Sequence, residues 1–270
     1  MGDDERGEPH DGGSDAGREV TSARLRVAAV THPGLVREDN EDAVVIGEWI
    51  VADRRTGNVA VLELSGPGPF TVAVADGLGG HACGEAASRL VVEMLATSGV
   101  PLVGDAISKV LDDANVALLA EGARDPARAG SGCTIAGVTF DGEQAWVFNV
   151  GDSRVYRALD GHAGQLTVDD RPPRMPGQPP DVPTSVLTQC LGGTTDPRPV
   201  EPHVRVEVLQ AHDTFLLCSD GLSDYVRAGE IGTAAGTASA AGVKALLARA
   251  LDAGAPDNVT IVLATWLPSV

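Results

Sequence analysis

Short apolar runs, often alternating with polar residues, recur along this chain and predict β-strands. In the first run, Leu25 and Val27 alternate with Arg24 and Arg26, as expected where successive side chains face opposite sides of a sheet. Asp-Gly and Gly-Asp dipeptides separate several of the runs and are typical of hairpin turns. We predict strands at residues 24–31, 43–46, 58–64, 70–75, 134–140, 144–150, 154–158, 202–209, 213–219 and 259–266.

Three other segments repeat apolar residues every three or four positions, which predicts amphipathic helices at residues 85–97, 105–121 and 240–251. Residues 121–132 are interpreted as a loop. The segment 169–185 holds six prolines in seventeen residues, a density that excludes a helix or a central strand, so we predict a surface loop there. Hairpins dominate and helices fall between groups of strands. The predicted fold class is therefore α+β, with antiparallel sheets and helices on their outer faces.

Residues 1–22 are rich in Gly, Asp and Glu, and we predict a disordered acidic tail followed by a single domain at residues 23–268. The tail has no apolar leader, and no run of about 18 apolar residues follows it, so we expect neither a secretory signal nor a spanning helix, and a cytoplasmic protein. The net charge of -18 makes nucleic acid and anionic membranes poor partners. The four cysteines form no CxxC pair, which argues against a zinc ribbon or a dithiol redox centre.

Three acids stand at the ends of apolar runs. Asp76 ends the run that begins at Phe70, Asp220 follows the run that begins at Phe215, and Asp257 stands just before the last run. Taken singly, each Asp-Gly dipeptide is better explained as a tight turn. Neither Asp76 nor Asp220 is followed directly by a returning strand, however, so a shared role for the acids at one edge of the sheets stays open.

If the three acids converge with Glu41 and Asp42, their mutual repulsion is large. Two carboxylates 4 Å apart repel by about 4 kcal/mol at an effective dielectric constant of 20, and such a cluster needs protons or cations to persist. Oxygen ligands without a Cys or His pair suit Mg²⁺ or Mn²⁺ rather than zinc.

Two such ions can bridge a water and lower its pKa toward neutrality, which gives a hydroxide nucleophile. The backbone carbonyl of Gly77 could add one more oxygen ligand, and Arg37 could hold two oxygens of a phosphate. These residues together predict metal-assisted hydrolysis of a phosphoester.

Seven motifs in order resemble those of the metal-dependent serine/threonine protein phosphatases, the protein phosphatase 2C family, in its compact bacterial form. The resemblance covers residues 24 to 267, nearly everything but the tail. The motifs are GLVREDNEDA (34–43), VADGLGGHACGEAAS (74–88), SGCT (131–134), NVGDSRVYR (149–157), LTQCLGG (187–193), LCSDGLSDYV (217–226) and PDNVTIVL (256–263).

The resemblance implies a four-layer α-β-β-α sandwich, in which two antiparallel sheets are flanked by helices. It implies hydrolysis of phosphoserine and phosphothreonine on proteins, two Mn²⁺ or Mg²⁺ ions, and phosphorylated proteins as partners, with a serine/threonine kinase and its substrates among them. We expect a monomer. The roles implied by matching motifs are a metal bridge for Asp76, a carbonyl ligand for Gly77, second-metal ligands for Asp220 and Asp257, water-mediated contacts for Glu41 and Asp42, and a phosphate grip for Arg37.

The chain departs from the family pattern at three places. Ala129 stands where the family often has an acid that helps bind a third metal, so a third metal site is not expected. The family's Asp-His-Ser after Leu-Thr is replaced by residues 169–171, Asp-Asp-Arg, and a proline-rich loop, so a helical flap is not expected either. His81 could protonate the leaving alkoxide or only bind the turn, and both interpretations stay open. Asp152 and Ser153 are interpreted as supporting or structural residues.

Two other functions compete with hydrolysis. The run VAVADGLGGHA can be read as a strand, a G-x-G-x-x-A turn and a helix of a dinucleotide-binding unit, but Asp76 would then point a negative charge at the pyrophosphate. A catalytically silent scaffold of the same fold could bind phosphoproteins. Because every core metal position still has an oxygen ligand, we favour the enzyme.

Overall fold

The structure is a computed structural model, and it describes residues 23–52, 57–80, 82–173, 186–195, 198–236 and 239–267. The predicted tail at residues 1–22, the side chain of His81 and most of the predicted proline-rich loop lie outside the described residues. No helix within the described ranges is both long enough and apolar enough to cross a membrane.

The described residues form fourteen strands. They are β1 (Ala23–His32), β2 (Asp42–Ile46), β3 (Trp49–Val51), β4 (Ala60–Gly66), β5 (Phe70–Leu78), β6 (Gly132–Cys133), β7 (Ile135–Asp141), β8 (Gln144–Val150), β9 (Arg154–Leu159), β10 (His162–Gln165), β11 (Leu191–Gly192), β12 (His203–Val208), β13 (Thr214–Cys218) and β14 (Val259–Leu267). All ten predicted strands are present. The short strands β3, β6, β10 and β11 were not predicted, because two to four residues are too few to show a pattern.

Helices pack outside the strands. They are α1 (Ala82–Ala96), α2 (Asp105–Arg124), α3 (Asp220–Ser223), α4 (Ala228–Ala235) and α5 (Ala240–Asp252). The predicted loop at 121–132 is wrong in its first half, since α2 continues to Arg124 and a 3₁₀ turn follows at Pro126–Arg128. The Asp125 side chain caps that turn by accepting a 3.0 Å hydrogen bond from the Ala127 N–H.

Two sheets carry the fold, and every described strand pairing is antiparallel. The first sheet has the order β10-β9-β13-β14-β1-β4. The second has the order β11-β6-β5-β7-β8-β12, with β2 also paired to β5 and β3 paired to β2. The predicted pattern of antiparallel sheets is confirmed.

Strand alternation builds the four layers. In β5, Val72 and Val74 belong to the core between the two sheets, while Ala73 and Ala75 face the core under α1 and α2. Side chains of the first sheet also alternate between the two faces, and those on its outer face pack under α3, α4 and α5. Because both faces of each sheet are covered, the central strands are apolar on both sides. The predicted α-β-β-α sandwich is confirmed.

Candidate metal centre

Strand direction brings the predicted acids to one end of the two sheets. Asp42 begins β2 and Asp76 lies near the end of β5, and the two residues are directly paired in the antiparallel ladder. In the other sheet, Asp220 follows the end of β13 and Asp257 precedes the start of β14, and these strands are also antiparallel neighbours. The end of one strand therefore lies beside the start of the next in both sheets, and four separate sequence positions meet.

A cavity of about 110 Å³ opens at this end. It is lined by Arg37, Glu41, Asp76, Gly77, Leu78, Asp152, Leu187, Asp220, Asp257 and Asn258. The structure thus brings six of the eight predicted site residues to one pocket. Asp42 lies beside it as the ladder partner of Asp76. The placement of His81 lies outside the described residues.

The Asp42 carboxylate is buried, and only one of its two oxygens has a hydrogen-bond donor among the described residues. Its Oδ2 accepts a 2.8 Å hydrogen bond from the Ser219 hydroxyl, while its Oδ1 has no hydrogen-bond donor among the described residues. Burial raises the pKa of Asp42 to about 6, although the hydroxyls of Thr260 and Ser219 oppose that shift. A buried carboxylate oxygen without a partner is costly, and a cation or an ordered water would relieve that cost.

Asp76 and Asp220 carry the largest electrostatic penalty in the pocket. Burial raises the pKa of Asp76 well above its ordinary value, and the neighbouring charges of Asp42 and Asp220 raise it further. Burial likewise raises the pKa of Asp220 to about 8, with added repulsion from Asp152 and Asp224. The folded protein therefore favours either protons or cations at this position.

Close backbone packing positions the Gly77 peptide. The Gly77 N–H donates a 3.2 Å hydrogen bond to the Glu41 carbonyl, and a Cβ built on Gly77 would lie 2.3 Å from the Gly84 carbonyl oxygen. A Cβ on Gly84 would lie 1.9 Å from Glu41 Oε2. Only glycines allow the start of α1 to approach the end of β5 this closely, so Glu41 and Gly77 are held at the same wall of the pocket.

Asn258 is a structural residue of the site that sequence reasoning missed. Its Oδ1 accepts a 2.8 Å hydrogen bond from the Glu41 N–H, and its Nδ2 donates to the carbonyls of Pro33 and Asp39 at 3.0 and 2.9 Å. One buried amide therefore ties the loop that holds Arg37 and Glu41 to the residue that follows Asp257. Asn258 lies in the motif PDNVTIVL (256–263), but the motif gave no role to its amide, because the partners of that amide lie in another part of the chain.

Arg37 lies at the rim and is paired with one of the acids. Its Nη2 donates a 2.8 Å hydrogen bond to Asp257 Oδ2, and both side chains are substantially exposed. Although partial burial opposes it, the contact with Asp257 raises the pKa of Arg37. An exposed pair of this kind contributes about 0–1 kcal/mol, so it can part at little cost when Asp257 or Arg37 takes another partner.

Asp152 lines the pocket, although the sequence indicated only a supporting or structural role. Its Oδ2 accepts a 2.6 Å hydrogen bond from Arg171 Nε, and Arg171 also reaches Asp224 and Asp220. Ser153 has the predicted supporting position: its hydroxyl bonds the Thr134 hydroxyl, which accepts from the Asp76 N–H. Asp224 and Arg171 were not predicted as part of the site.

The residues fit a divalent ion in donor chemistry, charge and space. Carboxylates line the pocket, Asp42 Oδ1 has no hydrogen-bond partner among the described residues, and burial together with mutual repulsion raises the pKa values of Asp76 and Asp220. Within the described ranges, no three carboxylate, imidazole or thiol groups surround a single point at ligand distance. Mg²⁺ usually keeps several waters as ligands, so a preformed cage of protein ligands is not required.

A larger cavity, of about 380 Å³, lies elsewhere, between β8, β12 and the residues after β10. Its described lining contains no carboxylate, and its charged or titratable side chains are His203 and Arg205. Size alone therefore does not identify the reactive site. The smaller pocket is the better candidate because repelling acids converge there.

Stability of the metal-free protein should fall as pH rises from about 5 to 8. The pKa values of Asp42 (about 6) and Asp220 (about 8) are above their ordinary value of 3.8, so the folded state binds protons more tightly than the unfolded state in this window. Thermal unfolding in EDTA across this range measures the effect. Mn²⁺ should make the unfolding midpoint less dependent on pH. Asp220→Asn should reduce the same pH dependence in EDTA. A midpoint that rises with pH in EDTA would contradict the electrostatics described above.

Comparison with known proteins places the chain in a family. A profile of the protein phosphatase 2C family matches residues 63–268. The serine/threonine protein phosphatase PstP of Mycobacterium tuberculosis is 34% identical over 89% of this chain, and the chain spans only 45% of that protein's length. The serine/threonine phosphatase stp of Listeria innocua is 28% identical over 86% of this chain and 92% of its own length.

Solved structures of bacterial phosphatases show the same fold as this chain. The M. tuberculosis phosphatase PstP/Ppp superposes with a TM-score of 0.73 at 34% identity, covering 91% of this chain and 99% of that one. The catalytic domain of PstP in complex with two manganese ions superposes with a TM-score of 0.70 at 34% identity, covering 92% and 100%. The predicted family is thereby confirmed: this chain belongs to the protein phosphatase 2C family.

Proposed function

We propose that the chain is a metal-dependent serine/threonine protein phosphatase that hydrolyses phosphoserine and phosphothreonine on proteins with two Mn²⁺ or Mg²⁺ ions. The observation that carries the proposal is the convergence of Asp76, Asp220 and Asp257 at one pocket, with Asp42 paired to Asp76 beside it and Arg37 at the rim. The two manganese ions in the PstP catalytic domain support it. Residues 23–268 are proposed as one catalytic domain.

In this proposal each pocket residue has a defined task. Asp76, the Gly77 carbonyl, Asp220 and Asp257 would hold the two ions. Glu41 and Asp42 act through waters. When bound, the two ions would neutralise the acids and the phosphate and acidify a water for in-line attack on phosphorus. The protein itself keeps the acids in place through the Asn258 and Ser219 hydrogen bonds.

Arg37 is proposed to bind the substrate phosphate. Its exposed pairing with Asp257 parts easily, so the guanidinium is free to take two phosphate oxygens once Asp257 has a cation.

His81 remains the proposed proton donor to the leaving alkoxide. A pH–rate profile of His81→Gln that is unchanged from the parent would remove His81 from that role.

The proposed partners are phosphorylated proteins, including a serine/threonine kinase and its substrates. The relatives' names support this class, because PstP and stp are named serine/threonine phosphatases. The phosphosites that accumulate when the gene is deleted would identify the substrates. An unchanged phosphoproteome would remove the kinase pathway from the proposal.

Hydrolysis of p-nitrophenyl phosphate and of a phosphothreonine peptide, with Mn²⁺ and with EDTA, tests the proposed function. We expect turnover with Mn²⁺ and none with the chelator. Equal rates in both would refute metal dependence, whereas phosphopeptide binding without turnover would indicate a silent scaffold. NAD binding at micromolar affinity without added metal would instead support a dinucleotide site.

Arg37→Ala should raise the KM for the phosphothreonine peptide by about 10- to 100-fold, because a charge-assisted hydrogen bond to phosphate contributes about 1.5–3 kcal/mol. Affinity for Mn²⁺ should change little. Steady-state kinetics and calorimetry with Mn²⁺ alone measure the two effects separately.

Arg26→Ala is the matched control for Arg37→Ala. Both arginine side chains are 51% exposed and paired with one acid, but Arg26 pairs with Glu63 on β4 and does not line the pocket. The control should keep the parent KM. An unchanged KM in Arg37→Ala would exclude a phosphate contact.

A further inference from the structure

Arg171 is a buried cation that contacts two of the acids lining the pocket. Its side chain is only 10% exposed, and its two terminal nitrogens donate to both oxygens of Asp224 at 2.9 Å. Its Nε donates to Asp152 Oδ2 at 2.6 Å, and its Nη2 lies 3.5 Å from Asp220 Oδ2. One guanidinium therefore faces three carboxylates, of which Asp152 and Asp220 line the pocket.

The backbone beside Arg171 is held firmly. Asp170 exchanges hydrogen bonds with Gly151, through its own N–H at 3.0 Å and through its Oδ2 at 2.8 Å. The same carboxylate accepts from Gln189 Nε2 and contacts His203 Nε2, both at 2.9 Å. The segment that holds Arg171 is thus fixed to the hairpin that holds Asp152, and the guanidinium is positioned before any ligand arrives.

The chemistry of the three carboxylates explains why a cation is needed. Burial raises the pKa of Asp152 even though Arg171 opposes the shift, and burial with two neighbouring acids raises that of Asp220. Asp152 and Asp224 face no other cation within the described contacts. Without Arg171, the three acids would repel one another with no cation between them.

We propose that the Arg171 guanidinium is a permanent cation of the metal centre, which occupies the space between Asp152, Asp220 and Asp224 and excludes a further divalent ion from them. The inference rests on the proposed function, because it counts ions beyond the two proposed there. Arg171 is in this sense a positioning residue: it orients Asp220 and sets how many metal ions the pocket accepts.

The number of Mn²⁺ ions bound per chain tests the inference. Calorimetric titration of the full chain with Mn²⁺ alone should give two ions for the parent protein and three for Arg171→Ala. Arg171→Gln, which keeps a polar side chain but removes the charge, should also give three and guards against a folding failure of the alanine variant. Arg171→Lys, which keeps the charge, should give two.

Two further variants test whether the added ion binds at the position that Arg171 occupies in the parent protein. Arg171→Ala combined with Asp224→Ala should return to two ions, because the additional site loses a ligand. Arg154→Ala should stay at two, since Arg154 is a similarly buried arginine that pairs with Asp169 instead of a pocket acid. Two ions in the parent and in both neutral Arg171 variants would overturn this inference and leave the proposed function standing. No bound Mn²⁺ in the parent would overturn both.

Discussion

Replacing Asp76 with Asn should lower kcat/KM for the phosphothreonine peptide by at least about 10³-fold, because a metal ion contributes several kcal/mol of charge stabilisation in such reactions. Asn keeps the shape of the side chain but removes the charge proposed to hold both ions. Steady-state kinetics at saturating Mn²⁺ measure the loss. Activity within tenfold of the parent would exclude Asp76 as the bridging ligand.

Asp76→Asn should also stabilise the metal-free protein at pH 8. Burial and the charges of Asp42 and Asp220 disfavour the ionised Asp76 carboxylate, so a neutral side chain relieves repulsion in the absence of metal. Thermal unfolding in EDTA should show a higher midpoint than the parent. With Mn²⁺ the order should reverse, because the variant gains less from binding.

Asp213→Asn is the matched control for Asp76→Asn. Asp213 is a buried aspartate that stands at the opposite end of β13 from Asp220 and is paired with Arg157. Its replacement leaves a partly buried arginine without its main partner, so the free energy of unfolding should fall while activity per folded molecule is retained. A gain in stability from both variants would show that the Asp76 effect is not specific to the pocket.

Replacing Gly77 with Ala should destabilise the protein by about 3 kcal/mol and lower the thermal midpoint by about 6–12 °C. The new Cβ would lie 2.3 Å from the Gly84 carbonyl oxygen and 2.7 Å from the Glu41 carbonyl oxygen, and both contacts are with backbone that cannot rotate away. The same shift should move Glu41 and the Gly77 carbonyl, so Mn²⁺ affinity should fall more than tenfold. Thermal unfolding and calorimetry measure the two effects.

Gly229→Ala is the control for the glycine substitution. Gly229 is exposed on α4, and a Cβ there meets no atom within 4 Å. Because Ala favours a helix over Gly by up to about 1 kcal/mol, the control should be as stable as the parent or more so. Equal stability of the two alanine variants would contradict the close packing at Gly77.

The main strands and the acids at their ends could be predicted from sequence because their signals are local. An apolar run bounded by turn residues marks a strand wherever it packs, and β5 and β13 show that pattern clearly. An acid at the end of such a run lies at or near one end of its strand. The family motifs then supplied what local patterns cannot, namely that Asp76, Asp220 and Asp257 lie at the same end of the two sheets.

The supporting hydrogen bonds could not be predicted, because they join residues far apart in the chain. Asn258 bonds Glu41 across 217 positions, and Arg171 bonds Asp224 across 53. A polar residue gives no sequence signal for its partner when that partner lies in another motif. Arg171 was noticed only as a departure from the family pattern, and its contacts with the pocket acids depend on the observed fold.

The very short elements were missed for a different reason. β6 and β11 have two residues each and pair only with one another and with the end of β5. No period can be read from two residues, so their strand geometry comes from tertiary packing rather than from local preference. They matter for function because β6 pairs directly with Gly77.

A crystal structure of this chain grown with Mn²⁺, with anomalous scattering recorded at the manganese edge, tests directly whether two metal ions bind at these acids. Two anomalous peaks about 3.5–4 Å apart are expected within the pocket, with Asp76 between them, the Gly77 carbonyl on one ion, and Asp220 and Asp257 on the other. Manganese peaks found only outside the pocket, or no anomalous density in the pocket at saturating Mn²⁺, would contradict a two-metal centre at these acids.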